Sequence, residues 1–132
     1  MQPLQECHKH LYTQLYTSKE LMHFVMTPLS IQKAEASFKQ AIKMNKATPW
    51  QRLFLAVEDK YSGQPLGLVG LSSVDWVDRS VEFGILLMKH AQGLGLSSEV
   101  LQAVMQSLFT VFSMRTVWLE LQKNNAAAVP TL

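Results

Sequence analysis

Two closely spaced glycines mark the stretch of this sequence whose residue types are best suited to binding chemistry. The stretch consists of Gln92, Gly93, Leu94, Gly95, Leu96 and Ser97. It lies between a predicted strand and a predicted helix, where the first backbone N–H groups of the helix lack intrahelical partners and the helix dipole is positive. The turn is therefore suited to holding an anion such as a pyrophosphate. A plain strand-to-helix connection is the alternative interpretation.

One carboxylate precedes the turn at a position that suits proton transfer. Glu82 is the only acidic residue inside the strand that leads to the turn. A carboxylate can act as a general base, directly or through water. The alternative is an exposed charge at the start of a strand, because most glutamates are exposed and have no catalytic role.

The elements that flank the turn follow from the periodicity of the apolar residues. One face of the predicted strand carries Val81, Phe83, Ile85 and Leu87. Glu82, Gly84 and Leu86 fall on the opposite face. After the turn, apolar residues recur at positions 101, 104, 105, 108, 109 and 112, which is the spacing of one helix face.

The remaining elements predict the fold class. Residues 3–16 have helical apolar spacing, and Ser30 is the predicted N-cap of a second helix that ends before Thr48 and Pro49. Residues 53–57 and 66–74 predict two antiparallel strands, and residues 116–122 predict a strand parallel to the one that contains Glu82. The sequence thus predicts an α/β (α+β) domain with a mixed, mostly antiparallel sheet flanked by helices.

The turn and its surroundings resemble the GNAT superfamily of acetyl-CoA-dependent N-acetyltransferases. The acyl-CoA motif of that family, R/Q-x-x-G-x-G/A, is met by Gln92 and Gly95, with Ser97 in the last position. V-E-F-G at 81–84, S-S-E-V-L at 97–101 and N-N-A-A-A at 124–128 resemble the branch that acetylates ribosomal-protein N-termini. The resemblance covers residues 3–128 and is most specific in the middle of the chain.

The resemblance implies a set of cofactor contacts. Acetyl-CoA would be the cosubstrate, and the backbone of residues 92–97 would hold its pyrophosphate. The strand residues Ile85, Leu86 and Leu87 would pair with the pantetheine arm and place one N–H on the thioester oxygen. Glu82 matches the strand glutamate of the family. Asn125 matches an asparagine that touches the cofactor, and an N-cap is its alternative role.

The resemblance also implies an acceptor, which would be a primary amine on a protein N-terminus or on a small molecule. The region of the first two helices lines the acceptor groove in the family, so Phe24, Met26 and Trp50 are candidate contacts, although core packing is the more common role for such residues. The family continues after Asn125 with a helix, often bearing a catalytic tyrosine, and two strands. A form of the family fold that is shortened at both ends suggests an alternative function, namely that of a catalytically degenerate domain that binds acyl-CoA or a protein partner.

Composition limits the other function classes. The 132 residues fit a single domain, 1–132, and a net charge of +2 is too small to indicate nucleic acid or an anionic membrane as the main partner. The single Cys7 excludes an internal disulfide, and a cytoplasmic location is expected because the start shows no signal-peptide pattern. The histidines and Cys7 do not show the spacing of metal ligands, so we expect no bound metal. The uncovered edge of the strand that begins at Thr116 makes a homodimer possible.

Overall fold

A five-stranded sheet forms the centre of the protein in a computed structural model that describes residues 1–22 and 26–119. The strands follow the chain order and are β1 (Gln2–Pro3), β2 (Leu53–Glu58), β3 (Pro65–Asp75), β4 (Ser80–Leu87) and β5 (Thr116–Leu119). The first three pairs of neighbours are antiparallel, and β4 and β5 are parallel. The predicted fold class and the predicted parallel pair are both confirmed.

Helices cover the sheet at positions close to those predicted. They are α1 (Lys9–Thr17), α2 (Lys19–Met22), α3 (Ile31–Asn45) and α4 (Leu96–Thr110), with 3₁₀ turns at Glu6–His8 and Lys89–Ala91. The predicted start of the first helix was wrong, because Gln2 and Pro3 instead form a short strand against Ala56 and Leu55 of β2. Within the described ranges, no helix combines the length and the apolar character needed to cross a bilayer.

Alternation along the strands divides the core into two layers. One layer lies between the sheet and α4 and includes Val69, Val81 and Phe83. The other lies between the sheet and the pair α1 and α3, and includes Phe38 and Leu68. Because successive strand residues point to opposite faces, the odd-numbered positions of β4 face α4 and the even-numbered ones face α1 and α3.

Polar side chains fix the ends of the helices against the sheet. The Ser30 hydroxyl accepts a hydrogen bond from the Lys33 N–H at 3.3 Å, which confirms the predicted N-cap of α3. At the other end of α3, the side-chain amide of Asn45 donates to the Phe54 carbonyl and accepts from the Phe54 N–H, both at 2.8 Å. These two hydrogen bonds hold the end of α3 against the start of β2.

Candidate active site

The glycine turn leads from β4 into α4 in a conformation that requires glycine. Gly93 and Gly95 have φ values of 79° and 74°, in the left-handed region that side chains rarely adopt. Gly95 is the N-cap of α4, and no side-chain hydrogen bond caps the helix there. A Cβ atom at either glycine would meet no other atom within 4 Å, so the space beside the turn is open. The helix N-terminus therefore faces open space and can receive an anion.

The other residues of the predicted motif leave this backbone accessible. The Gln92 side-chain amide donates to the Leu87 carbonyl at 3.2 Å, which ties the turn to the end of β4. Leu94 is 69% exposed, whereas Ser97 is buried at 8% exposure and Leu96 is half-buried. The main chain of the motif is thus exposed to solvent, whereas the side chain of its last residue, Ser97, is buried.

The segment of β4 nearest the turn has one edge without a described strand partner. Pairing with β5 runs from Ser80 to Phe83, whereas β3 pairs with β4 up to Leu87. Ile85, Leu86 and Leu87 therefore bond to β3 on one side, and no described strand pairs with them on the other. An open strand edge can pair with an extended ligand through main-chain hydrogen bonds.

A cleft of about 530 Å³ lies between the sheet and the helices α1 and α3. Its size is within the range of ~300–1,000 Å³ typical of small-molecule sites. Two glycines that face each other in register, Gly70 of β3 and Gly84 of β4, help form its floor. Because glycine has no side chain, this pair leaves room above the sheet. Ile85 and Leu86 also line the cleft, and they belong to the segment of β4 that has no described strand partner on one edge.

Aromatic rings form one wall of the cleft. Tyr12 lies between Tyr16 and Phe54, with ring centroids 4.5 Å and 6.2 Å away, and the Arg52 guanidinium sits 5.0 Å from the centre of the Phe54 ring. The Tyr12 hydroxyl shares a hydrogen bond with Ser37 of α3. Burial raises the pKa of Tyr12 above its ordinary value, against the opposing effects of Ser37 and Arg52. Tyr12 is therefore a neutral phenol near pH 7.

Glu82 lies beside the cleft on the same face of the sheet as its floor. It pairs in register with Ser72 of β3, which lines the cleft, and with Trp118 of β5. It is half-buried and two residues from Gly84. The sheet register thus places the predicted base next to the cleft residue Ser72, in the part of β4 that pairs with β5.

The three predicted acceptor contacts and Asn125 have different outcomes. Met26 lines the cleft. Trp50 does not contact it, because its ring packs against Trp76 and Phe112 in the layer beneath α4, with centroids 5.0 Å and 5.5 Å away. Phe24 and Asn125 lie outside the described residues.

Sequence reasoning missed the cleft residues Arg52 and Tyr12. Their spacing along the chain carries no signal, since only the packing of α1 on β2 brings them together. Across the parts of the chain that the structure describes, no group of three or more His, Cys, Asp or Glu side chains is arranged to hold a metal ion.

The family comparison agrees with this geometry. The acetyltransferase (GNAT) domain family matches residues 1–131. The chain belongs to this family, and it has the fold of a GNAT acetyl-CoA-dependent N-acetyltransferase. By family, therefore, it is an N-acetyltransferase, which confirms the resemblance to the GNAT superfamily, whereas the ribosomal-protein branch stays a prediction. No curated protein matches the sequence.

Solved structures show the same fold at low sequence identity. The spermidine N-acetyltransferase from Vibrio cholerae in complex with CoA and spermine has a TM-score of 0.77 and 22% identity, over 89% of this chain and 68% of that chain. The spermidine/spermine N-acetyltransferase SpeG from Vibrio cholerae in complex with manganese ions has a TM-score of 0.72 and 21% identity, over 96% and 70%. At this identity the likeness establishes the fold, and the acceptor depends on the side chains of each protein.

Proposed function

We propose that this domain transfers the acetyl group of acetyl-CoA to a primary amine that enters the cleft. One observation carries the proposal. Gly84, Ile85 and Leu86 line the cleft and lie in the segment of β4 that leads to the glycine turn, where one strand edge has no partner among the described residues. A cosubstrate held along that edge would therefore present its thioester to an amine in the cleft.

Main-chain groups hold the cosubstrate in this proposal. The amides of Gly93, Leu94, Gly95, Leu96 and Ser97 bind the pyrophosphate at the N-terminus of α4, with Gln92 fixing the turn to β4. The backbone of Ile85, Leu86 and Leu87 pairs with the pantetheine arm, and one N–H polarises the thioester carbonyl. Asn125 adds a further contact to the cosubstrate.

Glu82 accepts the proton that the amine must lose. The amine nitrogen forms a bond to the thioester carbon, the carbon–sulfur bond breaks, and the sulfur leaves with the bonding electrons. An ammonium group has no free lone pair, so it must release a proton before it can attack. Glu82 supports this role because it is half-buried beside Ser72 at the cleft.

A substitution of the proposed base tests the reaction. Glu82→Gln keeps the shape of the side chain and removes its basicity, so we expect kcat to fall by about 10²- to 10⁴-fold with unchanged affinity for CoA. Glu35→Gln is the control, because Glu35 lies on α3 in an exposed pair with Lys9 at 3.6 Å and should have little effect. Acetyl-CoA consumption over a panel of amines provides the rate. A Glu82→Gln variant with the turnover of the parent would contradict the assignment.

The same assay decides between catalysis and the alternative of a degenerate acyl-CoA-binding domain. A protein that binds CoA in calorimetry and consumes no acetyl-CoA with any amine belongs to the degenerate class. Protein N-terminal peptides in the panel test the relation to the ribosomal-protein branch, which the V-E-F-G strand suggests.

A further inference from the structure

The charges around the cleft point to a particular class of acceptor. We infer that the acceptor is a small zwitterion, namely an amino acid or amino-acid derivative with an apolar body, and not a polyamine. This inference rests on the proposed function, because it concerns the amine that occupies the same cleft.

Among the residues that the structure describes, the lining of the cleft contains no carboxylate that could bind a second ammonium group. Its charged member is Arg52, a cation, and its other members are apolar or neutral polar residues. A polyamine such as spermine carries several ammonium groups, and each group that leaves water needs a carboxylate or several acceptors nearby. Within the described ranges, Glu82 supplies one carboxylate beside the cleft, which is enough for a single ammonium group.

The acidic residues of α2, α3 and β2, and those of two turns, contact other groups of the protein. Three described carboxylates that do not line the cleft contact basic side chains: Glu20 contacts Lys89 at 3.0 Å, Glu35 contacts Lys9 at 3.6 Å, and Glu58 contacts His8 at 3.5 Å. The Asp59 and Asp75 carboxylates accept backbone hydrogen bonds within turns. These groups are not positioned to bind a polycation in the cleft.

Arg52 and Glu82 form a pair of opposite charges suited to a zwitterion. Arg52 precedes Leu53, which pairs with Leu71, so Arg52 comes level with Ser72, and Ser72 pairs with Glu82. Strands lie ~4.8 Å apart, so the backbones of Arg52 and Glu82 are separated by about 10 Å. Among the described residues, no carboxylate lies within the 4.0 Å ion-pair distance of Arg52. A ligand carboxylate can therefore pair with Arg52 while its amine lies toward Glu82.

The apolar part of the ligand has a matching surface. The Tyr12 and Phe54 rings form the wall next to Arg52, and Leu68 and Met44 also line the cleft. Aromatic walls favour flat or branched apolar groups, which bury their surface against the rings. A zwitterion with an apolar side chain fits this combination of wall and charges.

Three amines separate the possible acceptor classes. Phenylalanine has an amine, a carboxylate and an aromatic ring, phenethylamine lacks the carboxylate, and spermidine is a polycation. We expect kcat/KM to be highest for phenylalanine and at least about 10-fold lower for phenethylamine, since a charge-assisted hydrogen bond to Arg is lost. Arg52→Gln should lower kcat/KM for phenylalanine by a similar factor and affect phenethylamine much less. Arg115→Gln is the matched control, because Arg115 is also exposed, immediately precedes β5 and does not line the cleft.

A binding measurement keeps the inference testable without turnover. Calorimetry of the CoA-bound protein should show phenylalanine binding that weakens in Arg52→Gln and not in Arg115→Gln. A preference for spermidine, an equal response to phenylalanine and phenethylamine, or an Arg52→Gln variant that behaves like the parent would overturn the inference. If CoA binds but no amine is acetylated, the proposed function fails, and phenylalanine binding alone then decides the ligand class.

Discussion

Substitution of Gly95 by valine separates the role of the glycine turn in cosubstrate binding from its role in folding. Gly95 has a φ of 74° and an added Cβ would meet no atom within 4 Å, so Gly95→Val creates conformational strain without a clash. A side chain in the left-handed region costs about 1–2 kcal/mol, which is small against a typical stability of ~5–15 kcal/mol. The variant should therefore fold.

Cosubstrate affinity should fall much more than stability. If the turn keeps its shape, the branched side chain stands where the pyrophosphate would lie. If the turn relaxes, its amides no longer converge. Loss of one hydrogen bond to a charged group costs about 1.5–3 kcal/mol, so we expect the Kd for CoA to rise by about 10- to 150-fold.

The chain contains a matched control for this experiment. Gly63, in the turn between β2 and β3, has a φ of 73° and also has no atom within 4 Å of an added Cβ. Gly63→Val imposes the same conformational strain outside the glycine turn before α4. Urea unfolding should show similar losses in the two variants, and calorimetry should show weaker CoA binding only in Gly95→Val. Equal CoA affinity in the two variants would refute the assignment of the pyrophosphate site.

Two further substitutions test the cleft and the scaffold. Gly70→Val places methyl groups on the cleft floor, where an added Cβ lies 3.9 Å from the Phe54 ring. KM for the amine should therefore rise by about 10-fold, with an unchanged Kd for CoA. Steady-state kinetics and calorimetry check these values, and a KM equal to that of the parent would place the acceptor elsewhere. Asn45→Ala removes two 2.8 Å hydrogen bonds to Phe54 and should destabilise the fold by about 1–3 kcal/mol in urea unfolding. An unfolding free energy equal to that of the parent would contradict this role of Asn45.

The sequence predicted those parts of the molecule that depend on local periodicity and capping. The alternation in residues 81–87 identified β4, and Ser30 identified the start of α3, because both signals lie within one element. The glycine turn was predictable for the same reason, since its conformation depends on adjacent residues. The start of the first helix was not, because the pairing of Gln2 with Ala56 joins positions far apart in the chain.

The acceptor side of the site could not be predicted because it depends on register and packing. Gly70 and Gly84 carry no chemical signal separately, and only their pairing across β3 and β4 creates the cleft floor. Arg52 faces the cleft because β2 runs beneath α1 and α3. Trp50, two residues earlier, packs on the opposite layer. A sequence pattern does not show which of these neighbours is exposed to a ligand.

The two substrates of the proposed reaction would contact different parts of the protein, and this affects how the choice of acceptor can change. In the proposed reaction, main-chain atoms of β4 and the turn before α4 handle the invariant half of the chemistry, whereas the cleft walls come from side chains of α1, α3 and β2. Exchange of wall residues such as Tyr12, Ser37 or Arg52 would thus alter the amine that is chosen and leave the nucleotide end of the cosubstrate undisturbed. The two substrates would then be tunable separately, by design or by natural variation.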